Sequence, residues 1–256
     1  MSRWIVVLLV GFFAFVSAFA AEQAPPPSPK PESISDEGDY FYKGEKPSDA
    51  LYYKVTDLPP IKGAFYLRFG SIGPYDITGD SGTTFQQMYS TSGSLVIVAE
   101  YERYLGNLLG KWTVKFGTGI STEEGNGRFV NDPATVPREK FNFIIFPNTA
   151  LLNYKLKFSD TQILTPYVEA GAGYFTFIEY RTDGKDPTFG GAGVLAASGG
   201  LLISMNLLDR NAASIMYEDY GVNHLWFDLQ FRRYQGIDDK KDFSSNMITG
   251  GFGFAF

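Results

Sequence analysis

Residues 112–121 read WTVKFGTGIS. Trp112, Val114, Phe116 and Ile120 occupy alternate positions, with Thr113, Lys115, Gly117, Gly119 and Ser121 between them. Successive side chains leave a β-strand on opposite sides, so this alternation predicts a strand with one apolar and one polar face. The same period of two recurs. In LWFDLQFRRY, Leu225, Phe227, Leu229 and Phe231 oppose Trp226, Asp228, Gln230 and Arg232; in LVIVAEYERY, Leu95, Ile97, Ala99 and Tyr101 oppose a face holding Glu100 and Glu102. In ALLNYKLKF, Ala150, Leu152, Tyr154, Leu156 and Phe158 oppose Leu151, Asn153, Lys155 and Lys157. In TPYVEAGAGYFTFIEY, Val168, Ala170, Ala172 and Tyr174 oppose Tyr167, Glu169, Gly171 and Gly173. FYLRFG and MITGGFGFAF follow the scheme, while the pattern of GGAGVLAASGGLLISM leaves its facing open.

These segments predict eight strands, over about 63–72, 92–104, 111–122, 140–158, 163–180, 190–205, 223–235 and 243–256. Many exceed the usual strand of about five or six residues and match the roughly 9–11 that a tilted strand needs to cross a bilayer. The connectors alternate in length. Gly73–Thr91, Thr122–Glu139, Arg181–Phe189 and Gly236–Asp242 read as long polar loops, whereas LGNLLG and SDTQ are short. Long loops outside and short turns in the periplasm are the pattern of outer-membrane barrels. The expected fold is therefore all-β: an eight-stranded antiparallel transmembrane up-and-down β-barrel over 61–256. One connector, Asn206–Asn223, departs from the rule. Asp209 as N-cap, alanines within and Gly221 as a stop predict a short periplasmic helix between the sixth and seventh strands; the competing reading prolongs a strand through Ala213–Tyr217.

Upstream of the barrel, Arg3, the apolar run Trp4–Val16 and the small-x-small pattern at Ala18 and Ala20 predict a signal peptide over 1–20. Residues 21–60 carry Pro, Ser and charge with few aliphatics, and predict a flexible periplasmic linker open to a periplasmic partner. The chain has no cysteine, which removes disulfides and thiolate metal sites, and its net charge of −6 argues against nucleic acid.

The closing stretch resembles the outer-membrane β-barrel family. Thr249, Gly251, Phe254 and Phe256 match that family's C-terminal assembly signal, and PYVEAGAGY at 166–174 is similar to a strand of small barrels of the OmpA/OmpX/OmpW kind. The resemblance covers about residues 62–256 and implies recognition of the last strand by the barrel-assembly machinery, with both the linker and the C-terminus in the periplasm.

Lipid cannot solvate the polar faces cheaply, so they are expected to point inward. They collect Arg68, Glu100, Glu102, Lys115, Lys155, Lys157, Glu169, Glu179, Asp228 and Arg232, equal in acids and bases. An eight-stranded interior is just wide enough for side chains to fill, and buried charges need partners, so an ion-pair network closing the lumen is expected. Arg232 is expected to pair with Glu100, Glu102 or Glu169 rather than with Asp228 on its own strand. The lone histidine, His224, lacks the His-x-Ser pattern of outer-membrane lipid hydrolases and reads as an interfacial side chain. The loop carboxylates Asp76, Asp80, Glu123, Glu124, Asp132, Asp183 and Asp186 lack calcium-loop spacing. The glycines at 171, 173, 190, 191 and 193 precede no nucleotide-binding strand–turn–helix and suit barrel packing. A non-enzymatic outer-membrane protein without cofactor is expected, contacting outer-membrane lipid. The alternatives are a narrow, OmpW-like conduit for small or hydrophobic solutes and, third, an outer-membrane hydrolase.

Overall fold

The structure is a computed structural model that describes residues 40–43, 51–54, 61–78, 82–89, 93–126, 140–159, 162–206, 210–238 and 241–256. The expected signal peptide lies outside these residues, as do most of 21–60. Within the segment read as a linker, β1 (Tyr40–Lys43) and β2 (Leu51–Lys54) form an antiparallel pair.

Eight strands then close into a barrel: β3 (Gly63–Ile72), β4 (Ser94–Asn107), β5 (Lys111–Gly125), β6 (Phe141–Lys155), β7 (Leu164–Arg181), β8 (Thr188–Ser204), β9 (His224–Gly236) and β10 (Ser245–Ala255). Every neighbouring pair is antiparallel, and β10 returns to pair with β3 from Met247↔Ile72 to Ala255↔Ala64. Backbone bonds extend the seam beyond the ladder, because Lys62 N–H donates to Phe256 O at 2.8 Å and Phe256 N–H to Gly63 O at 3.0 Å. Closure gives every barrel strand a hydrogen-bonded neighbour on both sides, the condition for a sheet in hydrocarbon. Among the described residues no helix is long and apolar enough to cross a membrane.

The expected helix between the sixth and seventh barrel strands is α2 (Arg210–Tyr220). It ends where Gly221 adopts φ +67°, a left-handed conformation that frees the chain to turn, with Gly221 N–H donating to Tyr217 O at 2.9 Å. A single turn, α1 (Phe85–Met88), lies in the first long loop. Proline enters β6 at Pro147, where the β5–β6 ladder is interrupted between Gly117↔Thr149 and Ser121↔Ile145. The side chain of Asn148 compensates locally, accepting from Thr118 Oγ1 at 2.8 Å and donating to Tyr174 O at 3.2 Å.

Facing follows the alternation. Lys115, Asn153, Asp228 and Arg232 are buried inside the barrel, while Leu95, Phe116, Val168, Phe231 and Ile248 are exposed on its outer wall. The facing that the β8 sequence left open is now fixed: Ala192, Val194 and Ala196 point inward and Leu195 outward. Leu195 sits near the middle of its strand, so Leu195→Arg is expected to cost about 2–4 kcal/mol in a bilayer. Folding yield into phospholipid vesicles, compared with Leu195→Phe, checks this.

Candidate functional site

The interior is stratified. Towards the short turns, Ala64, Tyr66, Tyr167, Leu202, Trp226 and Ala255 form a small apolar cluster. Charge fills the middle. Towards the long loops, a larger cluster is dominated by aromatic rings.

In the middle layer, β3 and β9 flank β10, and both Arg68 and Asp228 lie in register with Gly251. Because position 251 has no side chain, the two reach across β10. Arg68 Nε donates to Asp228 Oδ2 at 2.7 Å, and its Nη1 also meets Glu100 on β4. Arg232 Nη2 donates to Glu100 Oε1 at 2.7 Å and to Glu169 Oε2 at 3.0 Å. Lys115 bonds to Glu169 and lies 3.7 Å from Glu102, which also pairs with Lys155 at 2.5 Å. Four carboxylates and four cations are thus interleaved, every carboxylate with a cation within hydrogen-bonding reach. Neutral groups complete the shell: Tyr167 Oη donates to Asp228 at 2.8 Å, Ser198 Oγ and Gln230 Nε2 donate to Glu169 at 2.7 and 3.0 Å, and Lys155 Nζ donates to Tyr66 Oη at 2.9 Å. The Lys115 ammonium lies 4.6 Å from the Tyr66 ring centre and 4.8 Å from that of Tyr167, placing a cation between two π faces. In a low-dielectric space such charges are tolerable only when their lost hydration is replaced by partners of this kind.

Of the ten charges that the sequence places inward, eight meet in this network. Lys157 lies nearer the short turns with its ammonium 5.1 Å from the Trp226 ring centre, and Glu179 is half-buried near the long-loop end of β7. Arg232 reaches Glu100 and Glu169 of its three candidate partners. Gly251, read in the sequence as part of an assembly signal, also has a steric role: a Cβ there would lie 2.1 Å from Leu67 O. Gly251→Val is expected to force the seam apart and to separate Arg68 from Asp228. The expected loss of stability is about 1–3 kcal/mol, as for other overpacked sites, and urea unfolding in vesicles measures it.

The aromatic layer is what sequence reasoning missed. Gly73–Thr91 was expected to be an outer loop set apart by its polarity, yet it carries Tyr75 and Phe85 into the barrel mouth, where both are buried. Tyr75 meets Phe85 edge-to-face at 5.2 Å and Phe243 at 5.7 Å, and Phe175 meets Tyr234 at 4.8 Å. Phe143 and Phe177 stack at 4.9 Å across β6 and β7. The available signal was the three rings of Tyr75, Phe85 and Tyr89 within an otherwise polar stretch. Tyr234 joins the two layers, since its ring packs on Phe175 while its hydroxyl accepts from Arg232 Nη1 at 3.3 Å.

His224 opens β9 at the short-turn end, where it is buried and stacks on Trp226 at 5.0 Å. Glu123 and Glu124, expected in a loop, belong to β5, which runs on to Gly125. Glu123 accepts from Ser94 Oγ, and Asp183 pairs with Arg181 at 2.7 Å. Asp80 and Asp132 fall outside the described residues. Among those described, no three metal-ligating side chains gather.

No protein-family model and no curated protein matches the chain. Solved structures do. The outer membrane protein OprG from Pseudomonas aeruginosa is 16% identical with a TM-score of 0.51, the alignment covering 77% of this chain and 97% of that one. The fold is that of the small outer-membrane barrels. Also similar are the N-terminal β-barrel domain of P. aeruginosa OprF, 11% identical over 77% of this chain and all of that one (100%) with a TM-score of 0.44, and the neisserial surface protein NspA, 10% identical over 76% and 96% with a TM-score of 0.41. At such identities the likeness to these barrels speaks of the fold alone.

Proposed function

We propose that this chain is a non-enzymatic integral protein of the outer membrane, with a lumen held shut and a structural or surface-contact role. The observation that carries this reading is the pairing of eight buried charges inside a wall whose outer face is apolar. Exposed Leu95, Leu195, Phe231 and Ile248 lie on different strands around the wall, a distribution suited to hydrocarbon rather than water. Inside, the aromatic layer and the ion network block the axis in series. A cavity beneath them, at the short-turn end beside Trp226 and Lys155, measures about 30 Å³, room for about one or two waters. In this reading the long loops face outward, the short turns and α2 face the periplasm, and β10 is the strand offered to the assembly machinery.

Planar-bilayer recordings of the purified full chain test it. The expected result is no steady single-channel conductance, together with no release of fatty acid from phospholipid or lipopolysaccharide. Sustained conductance would favour the narrow-conduit alternative, and fatty-acid release would favour a hydrolase.

A further inference from the structure

The short-turn mouth of the lumen carries more positive charge than its carboxylates balance. Lys111 on β5 lies directly opposite Lys155 on β6, and Lys157 follows two residues further along the chain. Like charges facing one another across an antiparallel pair destabilise it. One carboxylate, Glu102, answers this group, and it is already shared between Lys155 at 2.5 Å and Lys115 at 3.7 Å. No carboxylate among the described residues pairs with Lys111, and the Lys157 ammonium rests against the Trp226 ring.

These lysines surround two spaces. The inner one is the cavity of about 30 Å³, lined by Glu102, Lys111, Thr113, Lys155, Lys157 and Thr165 beside Trp226. Thr113 is 2% exposed and Thr165 is fully buried, yet neither hydroxyl has a hydrogen-bond partner. A buried hydroxyl in that state costs free energy unless something in the cavity answers it. The outer space is an open pocket of about 340 Å³, lined by Asn107, Gly110, Lys111, Lys157, Phe158 and Ser159. Its volume falls within the range of about 300–1,000 Å³ usual for small-molecule sites. Lys111 and Lys157 line both spaces, which therefore meet between these two side chains. Beyond the inner cavity the ion network closes the axis, so the mouth is a blind vestibule.

We propose that this vestibule binds a phosphate ion from the aqueous phase, held between Lys111 and Lys157. Lysine takes phosphate as a point charge, which suits ammonium groups converging from β5 and from the chain just beyond β6. The inner cavity admits one or two waters, and these carry the hydrogen bonds of Thr113 and Thr165 towards the anion. The pocket opens on the lumen rim and not on the apolar wall, so its anion comes from water and not from a lipid headgroup. The site depends only on the barrel fold and stands apart from the closed-lumen reading. In the orientation proposed above, it faces the periplasm.

The test is calorimetric titration of the full chain, in a maltoside detergent free of phosphate, with inorganic phosphate. Ionic strength is held constant with chloride. Saturable one-site binding is expected, weakened about tenfold or more in Lys111→Gln and in Lys157→Gln, the effect of removing one charged donor. Lys111→Arg should recover part of the loss, and Lys185→Gln, in an exposed loop at the far end, should bind as the wild type does. Heat-modifiable migration checks that each variant is a closed barrel. Absence of saturable binding by the wild type overturns the site without recourse to any variant. Binding that survives both glutamine variants lies elsewhere and also overturns it, as does an equal loss in Lys185→Gln, the mark of diffuse attraction. Steady conductance in bilayers would overturn the closed lumen and leave the expected titration unaltered.

Discussion

Replacing Arg232 with methionine is expected to destabilise the barrel by about 3–5 kcal/mol, the usual consequence of stranding a buried partner. The guanidinium touches both Glu100 and Glu169, and all three side chains are fully buried. Methionine fills similar space, so packing loss contributes little and the effect isolates charge. Glu100 keeps Arg68 and Glu169 keeps Lys115, which predicts partial rather than complete loss of compensation. Adding Glu169→Gln to Arg232→Met is therefore expected to recover part of the deficit. Urea unfolding of the wild type, both single variants and the double variant measures the coupling, which for contacting residues runs about 0.5–3 kcal/mol. Unaltered stability with a rise in conductance in Arg232→Met would mean that water, not Glu100 and Glu169, solvates this charge.

The second large effect is expected at Phe175, where truncation to alanine should cost about 3–5 kcal/mol. The ring is fully buried and makes edge-to-face contacts with Tyr75 at 6.3 Å, Tyr234 at 4.8 Å and Phe243 at 5.6 Å. It therefore joins the wall to Tyr75 within the first long loop and to Tyr234 and Phe243 on either side of the last. Phe175→Ala should loosen the first loop as well as the barrel, giving faster proteolysis between Gly73 and Thr91 on vesicles whose loops face outward. Phe175→Leu should restore most of both properties. Fast proteolysis without loss of unfolding stability would show that the loop is held by other contacts.

The wall was legible because a strand half-exposed to lipid has to alternate, and Trp112–Ser121 does so with Thr118 alone interrupting its apolar face. The membership of the charged layer was legible for the same reason. Its pairings were less so, since Arg68 meets Asp228 only because β10 places a glycine between them, and that depends on how three strands are staggered. The β8 facing was obscure because alanine and glycine suit either side. The aromatic layer was hidden by averaging: Tyr75 and Phe85 sit among residues polar enough to read as solvent-exposed loop. The stack of His224 on Trp226 went unread, although the two lie two residues apart on the same face.

The bridge across Gly251 joins residues 160 positions apart in the chain, and Arg232 reaches Glu100 over 132. Each hairpin of the sheet can form locally, but these two contacts exist only once the first and last strands have met. Until then Asp228 has only the Tyr167 hydroxyl and no cation, and Arg232 has Glu169 as its only carboxylate. Partly assembled sheets are thus penalised, and the final docking step adds the Arg68–Asp228 and Arg232–Glu100 bridges together. The kinetics should follow: high contact order makes closure slow, and the ion layer makes it all-or-none. Seen this way, the charges proofread assembly, since a barrel closed in the wrong register would put Arg68 and Asp228 on different levels and leave Asp228 without a cation.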